Sequence, residues 1–347
     1  MPQRGRHPGG ESGTFGGELM SATPQASRAI NRRGFLTAAG LLGVSMLAGC
    51  AKSEPAADSS TVLIHHSMGD TTIKGVPQRI VTLGNQWTDA LLTLGGKPVG
   101  FFDNVHDAGG GLAPWTRGQL EGATEITVED GKKVVDHVRR LKPDLIFAPG
   151  FAADTQTYES FAAIAPTIPD VSTAQIGRWQ DPLTVVGQIL RIPDAANRAI
   201  ADLEGRLADD AAALKNLKGK TLSMVYFYKE TSIAVQADPS DGASEIFLDF
   251  GMAFPENQVT RAGGSGRFEI PVADIAELDS DALIIVLQEE KLRETFEAIP
   301  GFSELTSVRK DQVQFIDLAT GTALNVPTVL SIPYALDHIM PLLKKVR

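Results

Sequence analysis

Short apolar runs alternate with amphipathic stretches along residues 61–168. The amphipathic stretches have the i, i+3, i+4, i+7 spacing of helices that pack by one face. Strands are predicted at residues 79–84, 97–102, 145–148 and 165–168, and helices at residues 85–94, 131–141 and 155–163. A β-hairpin is predicted before them, over residues 61–74 around Gly69-Asp70. The βαβ order indicates a parallel sheet covered by helices.

Residues 181–214 have the longest helical patterns. One helix is predicted at residues 181–190 and another at residues 195–214, where alanine and leucine share one face. At about 1.5 Å per residue the second helix would span roughly 30 Å, which is the diameter of a small domain. We therefore expect it to connect two parts of the protein.

The strand and helix pattern starts again after residue 220. Strands are predicted at residues 221–228 and 282–287, and helices at residues 244–250 and 272–278. Four further elements, whose type is left open, are predicted at residues 289–297, 302–308, 313–316 and 332–343. A faint internal repeat relates residues 138–148 to residues 275–285, each with a helix, a polar turn and an apolar strand. The predicted fold class is α/β, with two Rossmann-like α/β lobes joined by a single long backbone helix. The predicted boundaries are residues 61–180 for the N-terminal lobe, 181–216 for the connecting helices and 217–347 for the C-terminal lobe.

The first fifty residues have the order of an export signal. The paired Arg32-Arg33 precede an apolar run that is too short to cross a membrane, and small residues lead to Cys50. The arginine pair resembles the twin-arginine export signal, and the last four residues resemble a lipobox with Cys50 as the lipidation site. The predicted signal peptide is residues 1–49 and the lipidated flexible tether is residues 50–60. A free tail with an accidental arginine pair is the alternative, and either Met1 or Met20 is the start.

Charge and cysteine content narrow the functional classes. The 347 residues include 32 basic and 42 acidic side chains, so a general basic surface for nucleic acid is excluded. Removal of residues 1–49 leaves 27 basic and 40 acidic side chains, so membrane attachment would rest on the lipid. Cys50 is the single cysteine, which excludes an internal disulfide bond.

Five segments together resemble a known family. They are Gln78-Arg79-Ile80-Val81-Thr82-Leu83, Thr93-Leu94-Gly95-Gly96-Lys97-Pro98-Val99-Gly100, Leu141-Lys142-Pro143-Asp144-Leu145-Ile146, Ile164-Ala165-Pro166-Thr167 and Leu278-Asp279-Ser280-Asp281-Ala282-Leu283. In this order they resemble the substrate-binding proteins of ABC importers, and most closely the iron-siderophore type whose relatives carry cobalamin or haem. The resemblance covers residues 61–343.

The resemblance implies a ligand cleft between the lobes, a ferric siderophore as ligand and no resident cofactor. It also implies a monomer outside the cytoplasmic membrane, in the periplasm or on the cell surface. The expected partner is an ABC permease with a cytoplasmic ATPase, docked through one acidic residue on each lobe. By position the first-lobe residue is Asp136. The second-lobe position is Ala273, so Asp274 beside it and the nearby Glu269 are the candidates.

A bulky chelate whose iron is already ligated requires aromatic faces and fixed positive charge rather than protein metal ligands. Because open α/β sheets bind ligands at strand ends, residues at those positions are candidates. Further candidates are the pair Arg178-Trp179 between the first lobe and the connecting helices and two arginines beside a glycine-rich segment. The full set of candidates is Trp87, Phe102, Arg178, Trp179, Tyr226, Tyr228, Arg261 and Arg267. The two last arginines flank a glycine-rich segment, residues 263–266, that is expected to be a mobile loop.

Other interpretations remain open at this point. Trp87 also fits the apolar stripe of its helix, and the loop arginines are equally explained as solvated. The histidines lack the spacing of a zinc site, and no catalytic cluster is found, so an enzyme on this scaffold is the less favoured interpretation. Haem or cobalamin is an alternative ligand, with Tyr226 or Tyr228 as an axial haem ligand. The sequence does not distinguish a hydroxamate from a catecholate siderophore.

Overall fold

The computed structural model describes residues 61–128, 134–172, 174 and 176–347. Arg32, Arg33 and Cys50, with the predicted signal peptide and tether, lie outside the described residues. Within the described ranges, no helix combines the length and the apolar character needed to cross a membrane.

The N-terminal part begins with an antiparallel hairpin of two strands, β1 (Thr61–His66) and β2 (Gly69–Lys74). The strands and helices that follow are β3 (Ile80–Leu83), α1 (Asn85–Thr93), β4 (Gly100–Phe102), α2 (Asn104–Asp107), β5 (Thr124–Glu125), α3 (Val134–Leu141), β6 (Leu145–Phe147), α4 (Thr155–Ala162) and β7 (Thr167–Ile168). The five strands form a parallel sheet in the order β5-β4-β3-β6-β7. The predicted parallel sheet of this lobe is confirmed.

Two helices connect this sheet to the rest of the chain: α5 (Gln180–Ile189) and α6 (Pro193–Ala213). Helix α5 packs against α1 and α6. Helix α6 begins with Pro193, whose missing N–H costs nothing in the first turn, and buries Ala196, Leu203 and Leu207 on one face. The long helix predicted at residues 195–214 is therefore present within two residues.

The C-terminal part contains β8 (Leu222–Lys229), β9 (Ser232–Gln236), α7 (Glu245–Asp249), α8 (Glu256–Ala262), β10 (Arg267–Pro271), β11 (Ala282–Leu287), α9 (Leu292–Glu297), α10 (Thr306–Arg309), β12 (Val313–Ile316), α11 (Leu318–Asn325) and α12 (Ser331–Lys345). Its sheet has the order β10-β9-β8-β11-β12. Strands β8, β11 and β12 are parallel, whereas β9 and β10 pair antiparallel at the edge. Short 3-10 helices occur at Pro114–Thr116, Lys215–Leu217, Gly242–Ser244, Gly263–Ser265, Val272–Leu278 and Phe302–Glu304.

One hydrophobic core runs through both lobes and includes Trp87, Leu183, Leu203, Met224 and Ile332. Separate clusters cover the outer face of each sheet, around Ile146 and Phe161 in the first lobe and around Ile285 and Phe296 in the second. The shared core fixes both sheets against the connecting helices.

Three local predictions are wrong. The hairpin turn is Ser67-Met68, because His66 pairs with Gly69 and both Gly69 and Asp70 belong to β2. The segment expected to be a mobile loop around residues 263–266 is a 3-10 turn between a helix and a strand. Arg261 consequently lies on α8 and Arg267 on β10 instead of in a loop.

Candidate functional site

A cavity of about 570 Å³ lies where the two lobes meet. The first lobe contributes residues that follow the carboxyl ends of β3, β6 and β7, and the second lobe contributes Val326, directly after α11. The lining residues are Ser67, Met68, Leu83, Gly84, Gln86, Asn104, Pro149, Gly150, Phe151, Ala153, Asp170, Ser172, Ala174, Ile176 and Val326. This is the position at which parallel α/β sheets place ligands, and the volume suits a small molecule.

The floor of the cavity is held by a pair of asparagines at the ends of two neighbouring strands. The backbone N–H of Asn85 donates to Asn104 Oδ1 at 2.8 Å, and the backbone N–H of Asn104 donates to Asn85 Oδ1 at 2.6 Å. Gly84 between β3 and α1 adopts a φ of 149°, and an added Cβ would contact Pro149 at 3.4 Å. The turn therefore keeps this edge of the sheet open.

Asp170 joins three segments that border the cavity. Its backbone carbonyl accepts a hydrogen bond from Ser67 N at 2.8 Å, which attaches the hairpin turn to the segment after β7. Its Oδ2 accepts from Gly150 N at 3.0 Å. Because Ser67, Met68 and Gly150 all line the cavity, Asp170 sets the shape of this wall.

A close glycine contact joins the two lobes beside Ile176, which lines the cavity. Gly242 N donates to Ile176 O at 3.0 Å, and a Cβ on Gly242 would lie 2.2 Å from the Gly177 carbonyl oxygen. Any side chain at residue 242 would therefore push the two backbones apart.

Trp87 and Trp179 are buried, each with 2% of its surface exposed. The Trp87 ring stacks on Phe147 with centroids 4.2 Å apart. Trp87 borders a small cavity of about 40 Å³ that shares Gln86, Pro149 and Asp170 with the large one. The structure thus gives both indoles a packing position instead of an exposed aromatic face.

Arg178 lies beside the same small cavity but is ion-paired across the lobes. Its Nη2 donates to Glu245 Oε1 on α7 at 2.8 Å, and Gln180 Nε2 also donates to that oxygen at 3.2 Å. Arg178 is therefore a link between the lobes as well as a candidate cation.

Phe102 contributes to an aromatic pair at the carboxyl end of the first sheet. It packs edge to face with Phe151 at a centroid distance of 4.9 Å, and Phe151 lines the large cavity. Phe102 itself lines a second cavity of about 300 Å³ with Asp103, His106, Asp107 and Glu125. His106 Nδ1 is hydrogen-bonded to Glu125.

The second lobe gathers three predicted residues on one face of its sheet. Tyr226 and Tyr228 alternate with Phe227, which is buried against Phe296 on the opposite face. The pairing of Met224 with Gln236, and of Gln236 with Arg267, puts Arg267 on the face of Tyr226. The prediction that only part of this strand faces the cleft side is consistent with the alternation.

Arg267 contacts the C-terminal end of α11, next to the cavity-lining Val326. Its Nη1 donates to Asp241 Oδ2 at 2.9 Å and its Nη2 donates to Asn325 Oδ1 at 2.7 Å, one residue before the cavity-lining Val326. Tyr226 donates to the Gly321 carbonyl of the same helix at 3.4 Å, and burial raises the pKa of this phenol.

Arg261 does not join this group. Its guanidinium lies over the Phe268 ring at 5.2 Å and is paired with Glu277. Phe268 pairs with Val235 of the outer cluster, on the face opposite to Arg267. The structure therefore does not bring the two predicted arginines together.

Glu269 is on the face of Tyr226 and Tyr228, where three side chains donate to it. Tyr228, Lys229 and Ser232 bind its carboxylate, and these hydrogen bonds lower the pKa of Glu269 to about 2. Asp274, by contrast, is exposed in the 3-10 helix that follows β10. Asp136 is exposed in the first turn of α3 and pairs with Arg139 three residues away.

Asp89 fastens the two lobes together at a buried position. Trp115 Nε1 donates to Asp89 Oδ2 at 2.7 Å, and the Thr328 hydroxyl donates to the same oxygen. Burial raises the pKa of Asp89 to about 7. Within the described ranges, no group of three or more His, Cys, Asp or Glu side chains is arranged to hold a metal ion.

Several lining residues were absent from the sequence candidates. Phe151 follows the end of β6 by four residues, and the strand-end rule that selected Phe102 would have found it. Asp170 follows the end of β7 by two residues and would have been found in the same way. Met68 and Val326 carry no such signal, because the hairpin turn was misplaced and α11 was not predicted. Their position depends on tertiary contacts.

The chain belongs to the periplasmic binding protein family, whose profile matches residues 80–319. A curated relative, the probable siderophore-binding lipoprotein YfiY of Bacillus subtilis, is 33% identical over 229 residues, 63% of this chain and 67% of the relative. The family and the two-lobed α/β fold class predicted from the sequence are confirmed.

Solved structures agree with this assignment. A periplasmic solute binding protein from Mycobacterium smegmatis superposes with a TM-score of 0.71 at 26% identity, over 83% of this chain and 99% of the other. Staphylococcus aureus SirA complexed with staphyloferrin B superposes with a TM-score of 0.67 at 22% identity, over 82% and 99% of the two chains. The second structure shares the fold of this chain.

Proposed function

We propose that this protein is an extracytoplasmic lipoprotein that captures a ferric siderophore between its lobes and delivers it to an ABC permease for iron uptake. The observation that carries the proposal is the cavity of about 570 Å³ at the strand ends of the first lobe, closed by Val326 of the second. The similarity to YfiY, a probable siderophore-binding lipoprotein, supports a siderophore as the ligand.

The attachment and docking parts of the proposal rest on the sequence. Lipidation of Cys50 after twin-arginine export would hold the protein at the outer face of the cytoplasmic membrane as a monomer. Asp136 and Asp274, both exposed and on different lobes, are the proposed permease contacts. Glu269 is the weaker choice because Tyr228, Lys229 and Ser232 already bind its carboxylate.

No observation favours the alternative functions over this one. The two tyrosines considered as haem ligands are engaged, Tyr226 with the Gly321 carbonyl and Tyr228 with Glu269. The described residues around the cavity include no nucleophile hydrogen-bonded to a general base, so we do not propose an enzyme.

Filling the cavity tests the proposal. Gln86 lines it from the first turn of α1, so Gln86→Trp should occupy ligand space and weaken ferric siderophore binding by at least about 30-fold, or about 2 kcal/mol. The measurement is a titration followed by the fluorescence of Trp87, Trp115 and Trp179, with calorimetry for the variant.

The matched control is Gln188→Trp, the same substitution at an exposed position of α5. It should bind like the unmodified protein. If the unmodified protein binds no ferric siderophore, or if both variants bind equally well, the proposed ligand or its site is wrong.

A further inference from the structure

The large cavity has no basic side chain among the residues that the structure describes. Its lining includes one ionisable group, Asp170, and no lysine, arginine or histidine. The Asp170 carboxylate accepts a hydrogen bond from the neutral Gly150 N–H, and no described cation pairs with it. The N-terminus of α1 at Gln86 contributes at most about half a positive charge, which is less than the full negative charge of the carboxylate.

Two candidate arginines close to residues that line the cavity are each neutralised by a carboxylate. Arg267 pairs with Asp241, whose side chain is only 1% exposed, at 2.9 Å. Arg178 pairs with Glu245 at 2.8 Å. Each pair adds no net charge to the cavity walls, so the sequence-based expectation of fixed positive charge for the ligand is not met by these residues.

The neighbouring groups at the same sheet edge are also not net basic. The second cavity carries Asp103, Asp107 and Glu125, with His106 bonded to Glu125. On the second lobe Lys229 is paired with Glu269 at 2.9 Å. Among the residues that the structure describes, the electrostatic surroundings of the cavity are therefore neutral to negative.

Siderophore classes differ in the charge of their ferric complexes. Three hydroxamates are monoanions and cancel the charge of ferric iron, whereas three catecholates are dianions and leave the complex with three negative charges. A trianionic complex beside an uncompensated carboxylate is disfavoured both by repulsion and by the loss of its hydration. A neutral or cationic complex meets neither cost.

We infer that the cavity selects neutral or cationic ferric trihydroxamates and rejects anionic ferric catecholates. This inference rests on the proposed function. The side-chain amides of Gln86 and Asn104 and the hydroxyls of Ser67 and Ser172 supply uncharged hydrogen-bond donors for hydroxamate oxygens. Phe151 and Met68 supply apolar surface for the chelate backbone.

The test measures the dissociation constants of ferrichrome, a neutral trihydroxamate complex, and ferric enterobactin, a trianionic tricatecholate complex, on the same protein at low salt. Ferrichrome should bind at least about tenfold more tightly. Asp170→Asn keeps the acceptor for Gly150 N but removes the charge, and it should narrow the ratio of the two constants several-fold. Glu159→Gln removes an exposed charge from α4, outside the cavity lining, and should leave the ratio unchanged.

The possible outcomes test the charge selection and the proposed siderophore-binding function separately. Tighter binding of ferric enterobactin overturns the charge selection and leaves a siderophore-binding protein. An equal narrowing of the ratio in Asp170→Asn and Glu159→Gln also overturns it, because the effect would then be the net charge of the protein. Binding of neither ferric complex overturns both the inference and the proposed function.

Discussion

Trp87→Ala is expected to lower the free energy of unfolding by about 3–5 kcal/mol. The side chain has only 2% of its surface exposed. Its ring stacks on Phe147, with the ring centroids 4.2 Å apart, in the core that joins both lobes. Alanine would leave a cavity beneath α1. Because α1 packs against α5 within the shared core, the neighbouring elements cannot readily move to fill this cavity. Urea denaturation followed by far-ultraviolet circular dichroism measures the change.

Trp87→Phe distinguishes a packing role from a ligand role. Phenylalanine retains a ring against Phe147, so it should lose clearly less stability than alanine and keep ferric siderophore affinity within about threefold. A stable Trp87→Phe protein that has lost ligand binding would show that the indole touches the ligand after all. An alanine variant as stable as the unmodified protein would contradict the burial.

The second large effect is a dependence of stability on pH that comes from Asp89. Burial raises the pKa of Asp89 to about 7 in the folded protein, against 3.8 as its ordinary value. Between these values the folded state binds more protons than the unfolded state, so the contribution to stability is present at acid pH and is lost as pH rises through about 7. The size is up to about 4 kcal/mol between pH 4 and pH 8.

Asp89→Asn isolates this contribution. The variant cannot titrate, so its stability relative to the unmodified protein should improve progressively as pH rises from 4 to 8 in urea denaturation. Asp202→Asn, at an exposed position of α6, serves as the control and should leave the pH profile unchanged. A constant difference between Asp89→Asn and the unmodified protein over this range would mean that Asp89 titrates normally.

The periodicity of the sequence predicted those elements that bury one face. The strand predicted at residues 282–287 coincides with β11, because it is an apolar run between polar turns. The element predicted at residues 313–316, whose type was left open, is the strand β12. Strands β9 and β10 were not predicted. β10 is the edge strand of the sheet, and β9 lies between β10 and β8. β10 alternates Arg267, Phe268, Glu269 and Ile270, so it lacks the continuous apolar run of a buried strand such as β11.

The candidate site was predictable in part. Arg267 was selected because it follows the glycine-rich segment at residues 263–266, since its strand β10 was not predicted. Selection from the sequence also found the region of Phe102 and Tyr226, because both residues lie in strands that the periodicity identified. It also selected Trp87 and Trp179, which are buried, since sequence spacing does not tell a side chain that faces the core from one that faces a cleft. The ion pairs of Arg178 with Glu245 and of Arg267 with Asp241 connect residues 67 and 26 positions apart and could not be predicted locally.

This difference matters for the ligand. A sequence with arginines at three candidate positions predicts a site for an anion, whereas the structure pairs Arg178, Arg261 and Arg267 each with a carboxylate. The charge of the site is therefore a property of the fold.

The proposed function requires that one ferric chelate lies between the two lobes. A crystal of the protein grown with ferrichrome and measured at the iron absorption edge would locate the metal directly through its anomalous signal. We expect a single iron peak in the cavity bounded by Gln86, Phe151 and Val326. An iron peak on the outer surface, or no peak in a crystal soaked at saturating chelate, would contradict it.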